Sequence, residues 1–176
     1  MAGTLEVQKI QGPTSGANAN KIIVPSGQTL DASGGTLVPS AGQVVQTEHG
    51  VTTTMTTNTS ANTWVDVSLS ASITPTSASN KILVTYSAQN LAYNTYYIGV
   101  RLLRGTTEIN KNFAYNNNNY WMPHYGGIVD LDDPATTSSV TYKIQCLITN
   151  AAGDMRHNYN GNSNGYATLT LQEIAQ

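Results

Sequence analysis

Of 176 residues only 10% are charged, against about 25% in an average soluble domain, and 8 Lys and Arg against 10 Asp and Glu leave a net charge of −2. That balance excludes the clustered cationic surface a nucleic-acid backbone requires, and it includes no acidic tail. Cys146 is the only cysteine, which excludes an internal disulfide framework, and no apolar run reaches signal-peptide or membrane-spanning length. A hydrophobic content of 39% arranged in strand patterns argues against disorder.

Residues 1–19 read as a short head segment. Leu5, Val7 and Ile10 alternate loosely with polar neighbours before the loop-like QGPTSGANAN. Residues 20–48, NKIIVPSGQTLDASGGTLVPSAGQVVQTE, are too broken by Pro and Gly for a helix and too apolar for a plain linker. IVPS at Ile23–Ser26 returns as LVPS at Leu37–Ser40, so short strands recur between turns. Pro25 and Pro39 do not suit a central strand, and two repeats cannot bury a core alone. An intertwined homotrimer would meet both demands, with Ile22, Val24, Leu30, Leu37, Val38 and Val44 covered by sister chains. An ordered linker lying along its own domain is the alternative.

From about Thr52 onward the pattern is period two. Val65, Val67, Leu69, Ala71 and Ile73 share one face, with Asp66 and three serines on the other. Ile82, Val84, Tyr86 and Ala88 form the next face, then Tyr96, Ile98, Val100 and Leu102, with Arg104-Gly105 opening a hairpin into TTEI. GGIVDLDDP is a further strand. Val140, Tyr142, Ile144, Cys146 and Ile148 make the clearest face, and Ala167, Leu169 and Leu171 close the chain. Helical periodicity is absent at useful length. Seven or eight strands in roughly 125 residues imply an all-β fold, an antiparallel β-sandwich or jelly roll at residues 49–176.

Two parts of the chain resemble known proteins. NKIIVPSGQTLDASGGTLVPSAGQVVQ is similar to short shaft segments of bacteriophage tail fibres. VDVSLSASITPTSASNKILVTYSA, GVRLLRGTTEI, LDDPATTSSVTYKIQ and ATLTLQEIAQ together resemble a C-terminal β-sandwich head of such fibres. The resemblance runs from about Asn20 to the end. It implies a homotrimeric virion fibre, shorter than many, in which residues 1–19 attach to another tail or capsid protein, residues 20–48 form a β shaft and the head meets the host surface. Such a protein is made in the host cytoplasm and works in the virion. A decoration or cement protein without receptor binding, or a free lectin-like module, would share these features.

The loops between head strands are rich in Asn and aromatic residues. Tyr93, Tyr115, Tyr120, Trp121, His124, Tyr125, His157 and Tyr159 are the candidate receptor contacts. Asn offers a donor and an acceptor, and an aromatic ring offers a flat face, which together suit a host-surface glycan. The same Asn and Gly residues also form ordinary turns, and the tyrosines also suit a subunit interface. No enzyme is expected. Nucleophile elbow, phosphate loop and dinucleotide fingerprint are all missing, and Asp130, Asp132 and Asp133 read as a turn more readily than as a glycosidase pair or calcium site. His49, His124 and His157 lack metal-ligand spacing, so neither metal nor cofactor is expected. Cys146 reads as a buried, inert thiol.

Overall fold

The computed structural model describes residues 14–16, 25–28, 39–94, 96–116, 120–150, 152–160 and 163–176. Two compact units divide the chain, Met1–Val38 and Pro39–Gln176. Of the expected shaft residues, Ile22, Val24, Leu30, Leu37 and Val38 lie outside the described residues. A turn closes at each echo, placed one residue later in the second than in the first. In Pro25–Gln28 the Gln28 N–H donates to Pro25 O at 3.1 Å, and in Ser40–Gln43 the Gln43 N–H donates to Ser40 O at 3.1 Å. Gly27 and Gly42 hold the third position at φ +81° and +84°, the left-handed conformation a type II turn needs there.

Among the described residues twelve strands form: β1 (Val44–Thr52), β2 (Thr56–Asn58), β3 (Val65–Ile73), β4 (Lys81–Tyr93), β5 (Tyr96–Arg104), β6 (Thr107–Asn116), β7 (Met122–Asp132), β8 (Val140–Ile148), β9 (Asp154–His157), β10 (Tyr159–Asn160), β11 (Ser163–Asn164) and β12 (Ala167–Ile174). One sheet runs β1-β12-β4-β7 and the other β3-β8-β5-β6, all antiparallel. That alternation between sheets is the order of an eight-stranded jelly roll. Long β4 serves two partners on one side. Lys81–Ser87 pair with β12, and Asn90–Tyr93 pair with β9, which carries β2 beyond it.

The period-two faces pack as expected, because a sheet with one apolar face must bury it against another element. Val67, Leu69, Ile82, Val84, Tyr86, Leu102, Ile144, Leu169 and Leu171 are among the residues that meet between the sheets. The Arg104-Gly105 hairpin forms, with Gly105 at φ +59° as the first loop residue. Cys146 is fully buried, and burial pushes its thiol up to about 12.

One boundary moves. Val44, expected in the shaft, is the first residue of β1, whose pairing with β12 begins at Val44↔Ile174. The compact unit therefore starts ahead of residue 49, and Val44 is 51% exposed at a sheet edge. Within β1, Gly50 lies against β3, where an added Cβ would meet the Ser70 carbonyl oxygen and, at 3.3 Å, the Ala71 Cβ. Gly50→Ala is expected to cost about 2 kcal/mol, because the obstacle is backbone and the two strands must separate. A denaturation midpoint equal to that of the parent would contradict this.

Candidate functional site

Tyr93 at the end of β4 and Asn94 after it, Tyr120 and Trp121 before β7, and Thr149 and Asn150 after β8 emerge at one end of the sandwich. Their proximity is explicit: Tyr93 pairs with Asp154, Ala92 pairs with Met122, and Asn150 Nδ2 donates to Asn94 O at 2.9 Å. Asn94 takes φ +45°, a left-handed conformation Asn tolerates better than most residues, and so closes the turn.

At this end the rings of Tyr93 and Trp121 stack at a tilt, 5.2 Å between centroids. The Arg156 guanidinium lies 4.4 Å above the Trp121 ring and 5.8 Å from that of Tyr159. Asp154 Oδ2 steadies the guanidinium at 3.4 Å. Trp121 stays 41% exposed and neighbouring Tyr120 78%. Stacked cation–aromatic contacts stiffen such a patch without drying it. The result is a flat apolar face bordered by guanidinium and phenol donors, which can stack on a C–H face and hydrogen-bond hydroxyls at its rim.

The eight sequence candidates do not form one site. Tyr93, Trp121 and Tyr159 come together through Arg156, with Tyr120 exposed alongside. His157 does not reach the surface. Its register opposite Asn90 and Thr56 turns it inward between two strands, and it is 0% exposed, with Nε2 2.9 Å from the Tyr86 hydroxyl. Burial lowers its pKa to about 4. His124 also faces inward, half-buried on β7, and burial lowers its pKa too. Tyr125, one residue on, points out of the opposite face and is 80% exposed.

Tyr115 lies elsewhere, on the outer face of the second sheet. It opposes Tyr97 at 5.1 Å, beside Phe113 and Trp64 at 6.2 Å from each other, with Arg101 4.5 Å above the Trp64 ring. A Cβ on Gly99 would come within 2.8 Å of Phe113 and 2.9 Å of Trp64, so the absent side chain makes room for the platform. Sequence reading did not single out Phe113 and Trp64. The available signal was a glycine on the outward face of β5, between the inward-facing Ile98 and Val100.

The aspartates act structurally. Asp132 accepts from the Tyr142 hydroxyl at 2.6 Å and pairs with Arg104 at 3.0 Å; Asp130 accepts from Asn110 Nδ2 at 2.6 Å; Asp133 accepts from Ala135 N at 3.2 Å. Among the described residues no three His, Cys, Asp or Glu side chains gather as a metal site. In comparison with known proteins, the chain matches no family model and no curated sequence.

Proposed function

We propose that the chain is a short fibre protein of a tailed-bacteriophage virion, whose sandwich head contacts a host-surface glycan or protein receptor. The observation that carries the recognition part is the Tyr93–Trp121–Arg156–Tyr159 patch. Strand ends from three parts of the chain converge there to leave aromatic surface in water, apart from the core packed between the two sheets. The fibre part rests on the resemblance of residues 20–46 to fibre shafts and on the need of that apolar, Pro-broken stretch for partner chains.

Trp121→Ala combined with Arg156→Ala is expected to weaken binding to host cells at least tenfold while the melting temperature stays close to that of the parent, since both side chains lie at the rim. Unchanged binding by a folded double variant would remove this patch from the interface. The assembly part is tested by native mass: an 18.7 kDa chain that runs as a trimer supports the shaft, and a folded monomer refutes it.

One observation favours a second reading, decoration of the particle. Val129 and Leu131 are 67% and 50% exposed on the outer face of the first sheet, and Leu131 pairs across from Leu83. An apolar strip of that kind suits packing against another virion subunit. Removing residues 1–38, which precede the compact unit, separates the readings: a fibre loses incorporation into particles, whereas a protein held by its sheet face keeps it.

A further inference from the structure

A cleft of about 490 Å³ opens between the sheets where β6 and β7 form unpaired neighbouring edges. Its origin is legible in the strand register. On β4 and β7 the inward rows are Tyr86 with Ile128, then Ala88 with Gly126, then Asn90 with His124. The middle row is nearly without side chain, and Ala114 on β6 supplies little more from the other sheet. Two large rows flanking a small one leave a hollow. Asn112 Nδ2 donating to Gly127 O at 2.9 Å ties its lips together.

We propose that this cleft holds the ring of a neutral saccharide. Its size falls within the range of small-molecule sites, about 300–1,000 Å³. The walls are apolar, chiefly Ile98, Val100, Ile128 and the Tyr86 ring. No Asp, Glu, Lys or Arg lines it, and burial disfavours the charged form of His124, so an ionic ligand would lose its water with no fixed counter-charge in return. The floor nevertheless carries unspent polarity. Asn90, 1% exposed, has a buried Oδ1 without a partner, and the adjacent His124 has a buried Nε2 without one. Each orphaned group costs about 1–3 kcal/mol unless something completes it. Both end in broad sp³–sp² torsions, so a small rotation presents them to an occupant. A purely apolar guest would leave both unpaired. A pyranose offers hydroxyl donors and acceptors around its edge and C–H faces to the aliphatic walls. The cleft is independent of the virion reading and distinct from the Trp121 patch.

The test is titration of the full chain with D-glucose, D-galactose and N-acetyl-D-glucosamine, followed by protein-observed NMR. N-acetylneuraminic acid and adenosine serve as an anionic and a flat heterocyclic control. Saturable shifts at cleft residues with at least one neutral sugar, and none with the controls, are expected. Ala114→Leu fills the hollow and should weaken that binding at least tenfold, while Trp121→Ala leaves it unchanged. His124→Leu guards against misfolding as the cause: it removes an orphaned atom, so it should keep or raise the melting temperature yet still weaken binding. The proposal is overturned if no neutral sugar binds, if a control binds more tightly, if Ala114→Leu and His124→Leu bind like the parent, or if Trp121→Ala alone abolishes binding.

Discussion

Glu173→Ala should lower the unfolding free energy by about 3 kcal/mol, from the number of buried donors it strands. The carboxylate is buried near the C-terminal end of β12, yet among the described residues no cation pairs with it. Its oxygens are satisfied by dipoles instead. Oε1 accepts from Thr76 N at 2.7 Å, Thr76 Oγ1 at 2.8 Å and Asn80 Nδ2 at 2.7 Å, and Oε2 accepts from Gln46 Nε2 at 2.6 Å. One side chain thereby fastens β1 and the β3–β4 connection onto β12. Burial alone would raise its pKa, but the bonds from Asn80, Gln46 and Thr76 outweigh it and hold the carboxyl below its ordinary value. Hydrogen bonds to a charged acceptor are the stronger kind, about 1.5–3 kcal/mol each before the cost of burial is set against them. Alanine removes the acceptor and leaves Asn80, itself 6% exposed, with a donor that water reaches poorly. Glu173→Gln keeps one acceptor oxygen and should lose about half as much. Urea denaturation at pH 7 decides it: a midpoint shift at constant m is expected, and a loss under about 1 kcal/mol would mean the stranded donors find water.

Acid should destabilise the head well before its carboxylates titrate. The unfolded imidazole of His157 takes up its proton near pH 6.5, and the buried one not until about pH 4. Between those values the unfolded chain holds more protons than the folded one, so stability falls as pH falls, by about 3 kcal/mol over the whole interval. Above pH 6.5 His157 adds no pH dependence. His124, also lowered by burial, contributes with the same sign. Asp66, Glu108 and Glu173 have folded pKa values lowered from 3.8 or 4.5, so their contribution is present above those values and is lost below them. The interval from pH 6.5 to 5 is therefore left mainly to histidine. His157→Gln keeps a polar group near the Tyr86 hydroxyl and removes the titration. Its melting temperature should vary less over pH 7 to 5 than that of the parent. A parent protein equally stable at pH 7 and pH 5 would contradict the buried, neutral imidazole.

Period-two alternation was sufficient to read β3, β4, β5, β8 and β12, because a half-buried strand writes its inward face into every second residue. It was also sufficient to bury Cys146, while the Arg104-Gly105 pair located the turn. It failed for β2, β9, β10 and β11, which at two to four residues are too short to show a period. It assigned Val44 to the shaft, whereas the structure makes it the first residue of β1, paired with Ile174.

The candidate site was legible by composition only. Tyr93, Trp121 and Tyr159 were each visible as loop aromatics, but not their meeting over Arg156, since they lie on three separate strand ends. His157 and Tyr159 have the same loop signature in sequence. One is buried and one half-exposed because β9 pairs with both β4 and β2, which fixes His157 to the interior face. By itself the sequence determined the all-β class, most inward faces and the sparseness of charge in the surface chemistry. Only the tertiary structure decided the strand order, the hollow at Ala88 and Gly126, and which aromatic residues share a surface. Alternation specifies the face on which a side chain lies, whereas its neighbours depend on pairings between residues far apart in the chain.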